Sequence, residues 1–314
     1  MMLPAEPAPE PAALAAVLVL YDPAAGSAAS IAALGAAVGR LFIVDNAATP
    51  HPALARPATL PPNATVVMNR NAGGLAGAYN AALRVLQDRT ADGIRHVVFV
   101  DDDSDPHHLS DFLAHPATRE AFARPGTAAV APAHRDRATG LRARHLQLSR
   151  WRFHHLPREF DDLRPVAFAI NSMSVWRLAA LRRIGSYNEG LAVDHVDTEY
   201  CLRARRAGLQ VFINGACEFA HSVGARRAYR VLGRSLQSGG HGPRRRAMIG
   251  RNTMWLATRY ALVEPAFAAL CLLRLGYEAT GIALAEDRRL AKLFQLARGA
   301  VAGIFGLGGK GSAP

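Results

Sequence analysis

The chain has 314 residues, half of them hydrophobic, which is enough for one large domain or one domain with an appendage. Lysine and arginine total 37 against 25 aspartates and glutamates, and this net charge of +12 excludes an acidic disordered chain. The three cysteines include no CxxC pair, which argues against a cysteine zinc site or a disulfide framework and favours a reducing, cytoplasmic compartment.

The first 14 residues predict a disordered lead. They contain four prolines together with Glu6 and Glu10, and they lack the basic start and apolar core of a secretory signal. The longest apolar region, 261–285, is interrupted by charged residues and a proline, so an integral membrane protein is not expected.

Short apolar runs then alternate with helical patterns. Strands are predicted at 15–21, 41–44, 65–68 and 97–100, and helices at 27–38 and 75–86. This alternation indicates an α/β fold with a doubly wound, mainly parallel sheet, whose ligands bind at the carboxyl ends of the strands. Tyr21, Asp45, Asn71 and Asp101 are therefore expected on one rim of the sheet.

The fourth strand ends in a run of carboxylates, Asp101-Asp102-Asp103-Ser104-Asp105. Such neighbours repel one another strongly unless a cation lies among them, and hard oxygen ligands suit Mg²⁺ or Mn²⁺. The alternative is a solvated acidic turn that caps the next helix. The buried strand that precedes the run directs it to the ligand edge, which favours the metal.

The segment 71–80, NAGGLAGAYN, opens the second helix with small residues. Asn71 and Gly74 could let a ribosyl or anionic group approach the backbone at the helix start. Equally, the small residues could serve only to pack the helix on the sheet. The spacing matches neither a dinucleotide fingerprint nor a Walker loop.

A further central strand is predicted at 166–175, interrupted by Asn171 and Ser172. The helix that follows starts with three carboxylates in six residues, Asp194, Asp197 and Glu199. Carboxylates there are usually caps, but beside a metal site one of them could be a general base.

His221 follows two predicted short strands, 211–213 and 217–220, and is either structural or a metal ligand. Beyond it, residues 219–263 hold nine arginines and no acidic residue. A nucleic-acid-binding protein built on these arginines is one alternative. Such arms usually lie at a terminus or on a regular helix with aromatic stacking partners, whereas this segment follows the predicted ligand site, and no nucleic acid is expected.

Seven segments resemble the inverting glycosyltransferases of family 2, which have the GT-A fold, and within them the L-rhamnosyltransferases. They stand in family order over nearly the whole chain: VLVLYDP, IVDNAAT, NRNAGGLAGAYNAAL, VVFVDDDSDP, SYNEGLAVDHVDTEYCLRARRAG, FAHSVG and GRNTMWL. The block AVDHVDTEYCLRA is the most specific and is similar to that of the rhamnosyltransferases of rhamnolipid assembly.

The resemblance implies a role for each matching residue. Tyr21 and Asp45 would hold the nucleotide base, Asp101 and Asp103 would bridge the metal to the donor diphosphate, His221 would bind the metal, and Asp197 would be the general base; Asn71, Gly74, Asp102, Asp194 and Arg251 would border the substrates. Domain bounds are expected at 1–14 for the lead, 15–222 for the GT-A domain, 223–300 for a basic loop and C-terminal helices, and 301–314 for a flexible tail.

The implied reaction moves L-rhamnose from dTDP-L-rhamnose to a hydroxyl of a lipid-linked, glycolipid or glycan acceptor. The C-terminal helices would face the cytoplasmic surface of the inner membrane. Two departures, Asp102 where the family usually has Gln and the stretch Ile170-Asn171-Ser172, leave other donors open, such as UDP-galactofuranose or another UDP-hexose. The rival enzyme class is a nucleotidyl- or phosphotransferase with the same sheet and metal. It would be expected to have a basic phosphate loop near the first strand, but residues 21–30 contain no cation.

Overall fold

A computed structural model describes residues 3–21, 27–54, 57–87, 93–137, 139–221, 227–231 and 234–306. The chain divides into two compact units. The first holds the described parts of Met1–His145 and Leu156–His221, and the second those of Leu146–His155 and Ser222–Gly311.

The strands are β1 Leu14–Leu20, β2 Arg40–Asp45, β3 Ala64–Met68, β4 His96–Asp101, β5 Thr127–Asp136, β6 Leu146–Leu148, β7 Phe153–His155, β8 Leu163–Val166, β9 Val175–Arg177, β10 Gln210–His221, β11 Arg227–Val231 and β12 Arg234–Ser238. The α-helices are α1 Ser27–Ala37, α2 Gly74–Gln87, α3 Leu109–Ala114, α4 Pro116–Ala123, α5 Leu178–Ile184, α6 Val196–Arg206, α7 Pro243–Tyr260, α8 Pro265–Ala285 and α9 Arg289–Ile304.

The first unit is built on an eight-stranded sheet of order β3-β2-β1-β4-β9-β5-β10-β8. Neighbouring strands are parallel except where β9 and β8 pair antiparallel with their neighbours. Every residue of β1 is buried, as expected for a central strand covered on both faces. The predicted α/β fold with a mainly parallel sheet and C-terminal helices is confirmed.

Strand register determines which side chains share the sheet edge. Leu20 of β1 lies level with Asp45 of β2, and Val19 lies level with Asp101 of β4. Tyr21, Asp45 and Asp101 therefore reach the same rim, as the sequence predicted for them; the fourth predicted residue, Asn71, lies three positions beyond the end of β3.

The predicted strand 166–175 is wrong over most of its length. Strand β8 ends at Val166 and β9 begins at Val175, and Met173 between them has a positive φ of 62°. The carbonyl of Asn171 accepts hydrogen bonds from the backbone N–H and hydroxyl of Ser174, at 2.8 and 2.6 Å, so a local turn interrupts the strand and leaves a single bridge, from Ser172 to Phe99 of β4. Conversely, one strand, β10, spans both predicted short strands and has a register shift between Asn214 and Glu218.

The lead differs from its predicted disorder over residues 3–14. Leu3 accepts a hydrogen bond from the N–H of Gly126 at 2.9 Å, and the guanidinium of Arg177 donates to Pro4 at 2.8 Å. Glu6 lies 3.4 Å from the same guanidinium. Because Arg177 is buried, it requires these oxygen partners, and the sequence gives no sign of that requirement.

In the second unit, α7 and α9 pack closely because glycines face the partner backbone. A Cβ at Gly299 would stand 2.0 Å from the carbonyl oxygen of Ala247, and one at Gly250 would stand 2.2 Å from that of Leu296. The predicted basic loop contains the antiparallel pair β11 and β12. Helix α9 extends into the predicted tail as far as Ile304, and residues 307–314 of that tail lie outside the described residues, as does Arg226.

Helix α8 is, among the described residues, the one that is long and apolar enough to cross a membrane by length and composition alone. Core helices of soluble proteins pass the same test.

Candidate active site

Asp101, Asp103 and His221 form a cluster, named here the acidic triad, whose ligand atoms all lie within 4.8 Å of one another. Asp101 ends β4 and His221 ends β10. Since these strands run in the same direction, their carboxyl ends meet at one edge of the sheet, and residues 120 positions apart in sequence become neighbours.

The backbone around the triad is held by two serines that the sequence analysis did not single out as functional. The N–H of Asp101 donates to the hydroxyl of Ser172 at 3.1 Å. Ser172 in turn lies 2.7 Å from the hydroxyl of Ser104, which is 3.2 Å from Nδ1 of His221. The stretch 171–174 thus supports the loop 101–104, and it also keeps one parallel bridge to β4, between Ser172 and Phe99.

Burial and the repulsion between like charges both disfavour the ionised forms of the two aspartates of the triad. The pKa of Asp101 is raised to about 8, mainly by burial and then by the charges of Asp197 and Asp103. Burial also raises the pKa of Asp103, and the nearby His221 opposes the shift. Oδ1 of Asp103 is buried and makes no hydrogen bond within the described part of the chain.

Two carboxylates and an imidazole fit a divalent cation, and Oδ1 of Asp103 is a buried oxygen that such a cation could take as a ligand. This oxygen-rich set suits Mg²⁺ or Mn²⁺. Tyr79 adds a group that sequence reasoning missed: its hydroxyl donates to Oδ1 of Asp101 at 3.2 Å. The only signal for it was its place in the small-residue segment 71–80.

Asp102 points elsewhere. Its Oδ2 accepts the backbone N–H of Tyr21 at 2.9 Å, which ties the acidic run to the end of β1. The Tyr21 side chain is half exposed. Asp45 is buried, and its two oxygens accept the N–H groups of Ala47 and His51 at 3.3 and 3.2 Å. The nucleotide-binding roles of Tyr21, Asp45 and Asp102 stay predictions.

At the start of α2 the contacts favour the packing explanation. The N–H groups of Leu75 and Ala76 donate to the carbonyl of Ala192, at 2.8 and 3.3 Å, so they are not directed at a ligand. A Cβ at Gly74 would stand 2.6 Å from the same oxygen. Asn71 lies exposed just before this contact, with a positive φ of 58°.

The three carboxylates around the start of α6 have different surroundings. Glu199 is buried in an ion pair with Arg203, at 2.9 Å, and is therefore occupied. Asp194 lies half-buried in the turn before the helix. Asp197, in the first turn, accepts the backbone N–H of Asn171, and burial raises its pKa to about 7.

Asp197 lies near enough to the triad for its charge to raise the pKa values of Asp101 and Tyr79. Its Oδ1 is buried and has no hydrogen-bond partner among the described residues. A carboxylate with a pKa near neutrality and an uncommitted oxygen beside a metal site can act as a general base.

Arg251 belongs to α7 in the second unit. Its guanidinium donates to Oδ1 of Asn252 at 2.9 and 2.7 Å, and burial lowers its pKa. Its predicted contact with the diphosphate or acceptor stays a prediction.

No family model and no curated protein sequence matches the chain. Among solved structures, Staphylococcus aureus TarS residues 1–349 is similar at 12% identity with a TM-score of 0.54, covering 93% of this chain and 80% of that one. The chain has the GT-A fold.

Longer structures match more weakly. GalNAc-T7 with UDP, GalNAc and Mn²⁺ is 11% identical with a TM-score of 0.49, covering 84% of this chain and 54% of that one. A second S. aureus TarS structure is 13% identical with a TM-score of 0.46, covering 86% and 44%. The chain thus spans about half the length of these two proteins.

Proposed function

We propose that this protein is an inverting, metal-dependent glycosyltransferase. The observation that carries the proposal is the acidic triad at the carboxyl edge of a GT-A sheet, with Asp197 beside it. Open α/β sheets bind their ligands at this edge, and a pair of carboxylates with a divalent cation suits a nucleotide diphosphate.

Asp101, Asp103 and His221 would hold Mg²⁺ or Mn²⁺, which when bound neutralises charge on the departing diphosphate. Asp197 takes the proton of the acceptor hydroxyl as that oxygen bonds to the anomeric carbon. The bond from the anomeric carbon to the phosphate oxygen breaks in the same displacement, so the anomeric centre inverts and no covalent enzyme intermediate forms. Asp194 lies one turn earlier, and Glu199 is occupied by Arg203.

For the donor we propose dTDP-L-rhamnose. The resemblance of AVDHVDTEYCLRA to rhamnosyltransferases supports this sugar. Asp102, where the family usually has Gln, is a weaker argument against L-rhamnose than the sequence alone suggested. Oδ2 of Asp102 accepts a backbone hydrogen bond at the end of β1. The acceptor is a hydroxyl of a lipid-linked, glycolipid or glycan molecule.

The test is incubation of the full chain with a panel of dTDP- and UDP-sugars, a lipid and glycan extract, and Mg²⁺ or Mn²⁺. Mass spectrometry should find a glycosylated product that requires the metal, with dTDP-L-rhamnose the best donor. Absence of metal-dependent binding of every nucleotide sugar, measured by calorimetry, would overturn the proposal.

We also propose that the second unit attaches peripherally to an anionic membrane surface on the cytoplasmic side. Its last two helices, with the residue that follows them, expose large apolar side chains: Leu272, Leu273, Tyr277, Leu284, Leu290, Phe294, Val301, Ile304 and Phe305. Arginines accompany them on the same helices, and the whole chain has a net charge of +12. Exposed apolar residues and nearby cations together are what interfacial helices use to bind anionic lipid.

A further inference from the structure

Asn171 is a buried polar residue whose side-chain amide makes no hydrogen bond within the described part of the chain. It is 1% exposed, and neither its Oδ1 nor its Nδ2 has a hydrogen-bond partner within the described residues. A side-chain amide has two donors and an acceptor, and leaving them unpaired in a protein interior is costly. Buried polar groups are almost always paired, so an exception requires an explanation.

The main chain of Asn171 is fixed on both sides. Its N–H donates to the carboxylate of Asp197, and its carbonyl accepts two hydrogen bonds from Ser174. The next residue, Ser172, accepts the N–H of Asp101. The unpaired amide is therefore attached to a backbone held between the proposed base and the metal-binding loop.

Only Cα and Cβ separate the backbone nitrogen that bonds Asp197 from the side-chain amide group. A ligand hydroxyl on Asp197 would therefore have its neighbouring substituent close to the amide. A hydroxyl on the adjacent carbon both donates and accepts hydrogen bonds, which matches the two kinds of group on an amide. Tyr187 supplies another buried hydroxyl without a described partner, and the charge of Asp197 acts on it too.

We propose that the side-chain amide of Asn171 binds the acceptor hydroxyl adjacent to the attacking one, so that the acceptor is a carbohydrate with vicinal hydroxyl groups and not a simple lipid alcohol. This rests on the proposed glycosyl transfer and narrows its acceptor class. Asn171 binds and positions the acceptor, whereas Asp197 takes the proton.

The experiment measures binding rather than turnover. Saturation-transfer NMR on the full chain with Mg²⁺ and dTDP would titrate a set of methyl hexopyranosides and, as a lipid alcohol, 3-hydroxydecanoate. At least one glycoside should bind the wild-type chain, and its Kd should rise about 10-fold or more in Asn171→Leu and Asn171→Ala, the scale of one or two lost hydrogen bonds. Failure of every glycoside to bind, or equal Kd values in wild type and variants, would overturn the proposal.

Asn214 provides the matched control, because it is also fully buried but its side chain is bonded. Its amide donates to the hydroxyl of Thr118 at 3.0 Å and accepts the N–H of Ala216 at 3.0 Å. Asn214→Leu should lower the Tm and keep the glycoside Kd, whereas Asn171→Leu should keep or raise the Tm and weaken the glycoside. A fall in Tm for Asn171→Leu as large as that for Asn214→Leu would mean that the amide serves the fold and would overturn the proposal.

The two proposals fail in different ways. Glycosyl transfer fails if no nucleotide sugar shows metal-dependent binding. The role of Asn171 fails if nucleotide sugars bind as expected but glycoside affinity ignores the substitution.

Discussion

Asp103 and Asp105 stand two positions apart in one acidic run and have different surroundings. Asp103 keeps a buried oxygen without a described hydrogen bond beside His221, whereas Asp105 is bonded to the backbone and ring of its neighbour His107. Only the first is placed to bind a metal. The surroundings of Asp103 therefore fit a metal ligand, whereas those of Asp105 fit an acidic turn before a helix.

We predict that Asp103→Ala abolishes metal-dependent donor binding and turnover while the chain stays folded, because the substitution removes a ligand and also a repelled charge. Asp105→Ala is the control and should keep donor affinity. Calorimetry with dTDP-L-rhamnose, in Mn²⁺ and in chelator, measures both. An active Asp103→Ala with equal donor affinity in metal and chelator would show that the run is only an acidic turn.

For Asp197 we predict that the Asn variant keeps donor binding and lowers kcat by about 10² or more, the usual scale for lost general-base help. Burial raises the pKa of Asp197 to about 7 in the metal-free chain, and a bound cation lowers it, so kcat of the wild type should fall as pH drops through a value at or below about 7. This limb should be missing from the residual activity of Asp197→Asn. A dead Asp194→Asn with an active Asp197→Asn would contradict the assignment.

Folding stability should also follow the raised pKa values. Burial is the main cause that raises the pKa of Asp101 to about 8 and the pKa of Asp197 to about 7, from an ordinary value of 3.8. Between about pH 4 and 8 these two carboxyls hold more protons in the metal-free folded chain than in the unfolded chain, so their contribution to stability falls as pH rises. The lowered pKa values of the buried His96 and His145 act in the opposite direction below about pH 6.5, so the variant must be compared with the wild type at each pH. We predict that the Tm of the double variant Asp101→Asn, Asp197→Asn exceeds that of the wild type by an amount that grows from about pH 5 to 8 in chelator.

Metal should reverse that trend in the wild type, because a carboxylate must lose its proton to bind it. Thermal shift with Mn²⁺ should therefore give a larger gain in Tm at about pH 8 than at about pH 5. A gain that is the same at both values, or a constant difference between double variant and wild type, would contradict the raised pKa values.

At the scale of elements, apolar runs with polar ends were enough to predict the first four strands. Three of them, β1, β2 and β4, are central and almost fully buried, and β3 is the partly exposed edge strand. The acidic run and His221 were also identified, because carboxylates after a buried strand are costly unless they bind something. The turn 167–174 was missed because its residues are as buried as those of a strand. What distinguishes it is tertiary: Asn171 and Ser172 bond to Asp197 and Asp101.

A second element-scale feature escaped the sequence analysis. In the helical unit, Arg246 pairs with Glu278 and Glu286, and Lys292 lies 2.9 Å from Glu286. Arg246, Glu286 and Lys292 are all buried. In the sequence, these charged residues are far apart and each is typical of a surface position. Only the folded helices bring them together.

We predict that Arg246→Met destabilises the helical unit by about 3–5 kcal/mol, because it leaves buried carboxylates without their partner. Arg244→Met, two positions earlier and exposed, is the control and should change stability by less than about 0.5 kcal/mol. Urea unfolding followed by circular dichroism measures both. Equal small effects would mean that solvent reaches the cluster.

The whole molecule combines a unit built on the eight-stranded sheet with a helical unit of different surface chemistry. Glycosyl transfer alone does not explain why α8 and α9 expose leucine and phenylalanine side chains. An acceptor at a membrane surface would explain these side chains and also the positive charge of the chain. The alternative is that these helices only cap the catalytic unit. Vesicle binding distinguishes the two, because a structural cap has no affinity for lipid.

We predict that the full chain floats with vesicles that contain anionic lipid, does not float with neutral vesicles, and is released by high salt. Cations near such a surface contribute about 1 kcal/mol each, and salt screens them. Leu273→Glu with Phe294→Glu should abolish flotation, because both side chains are more than half exposed, at 62% and 65%, and would place charge in the lipid. Leu141→Glu, at an exposed leucine of the first unit, is the control and should float like the wild type. A wild-type chain that stays in the soluble fraction with anionic vesicles at low salt would leave the helices as a structural cap.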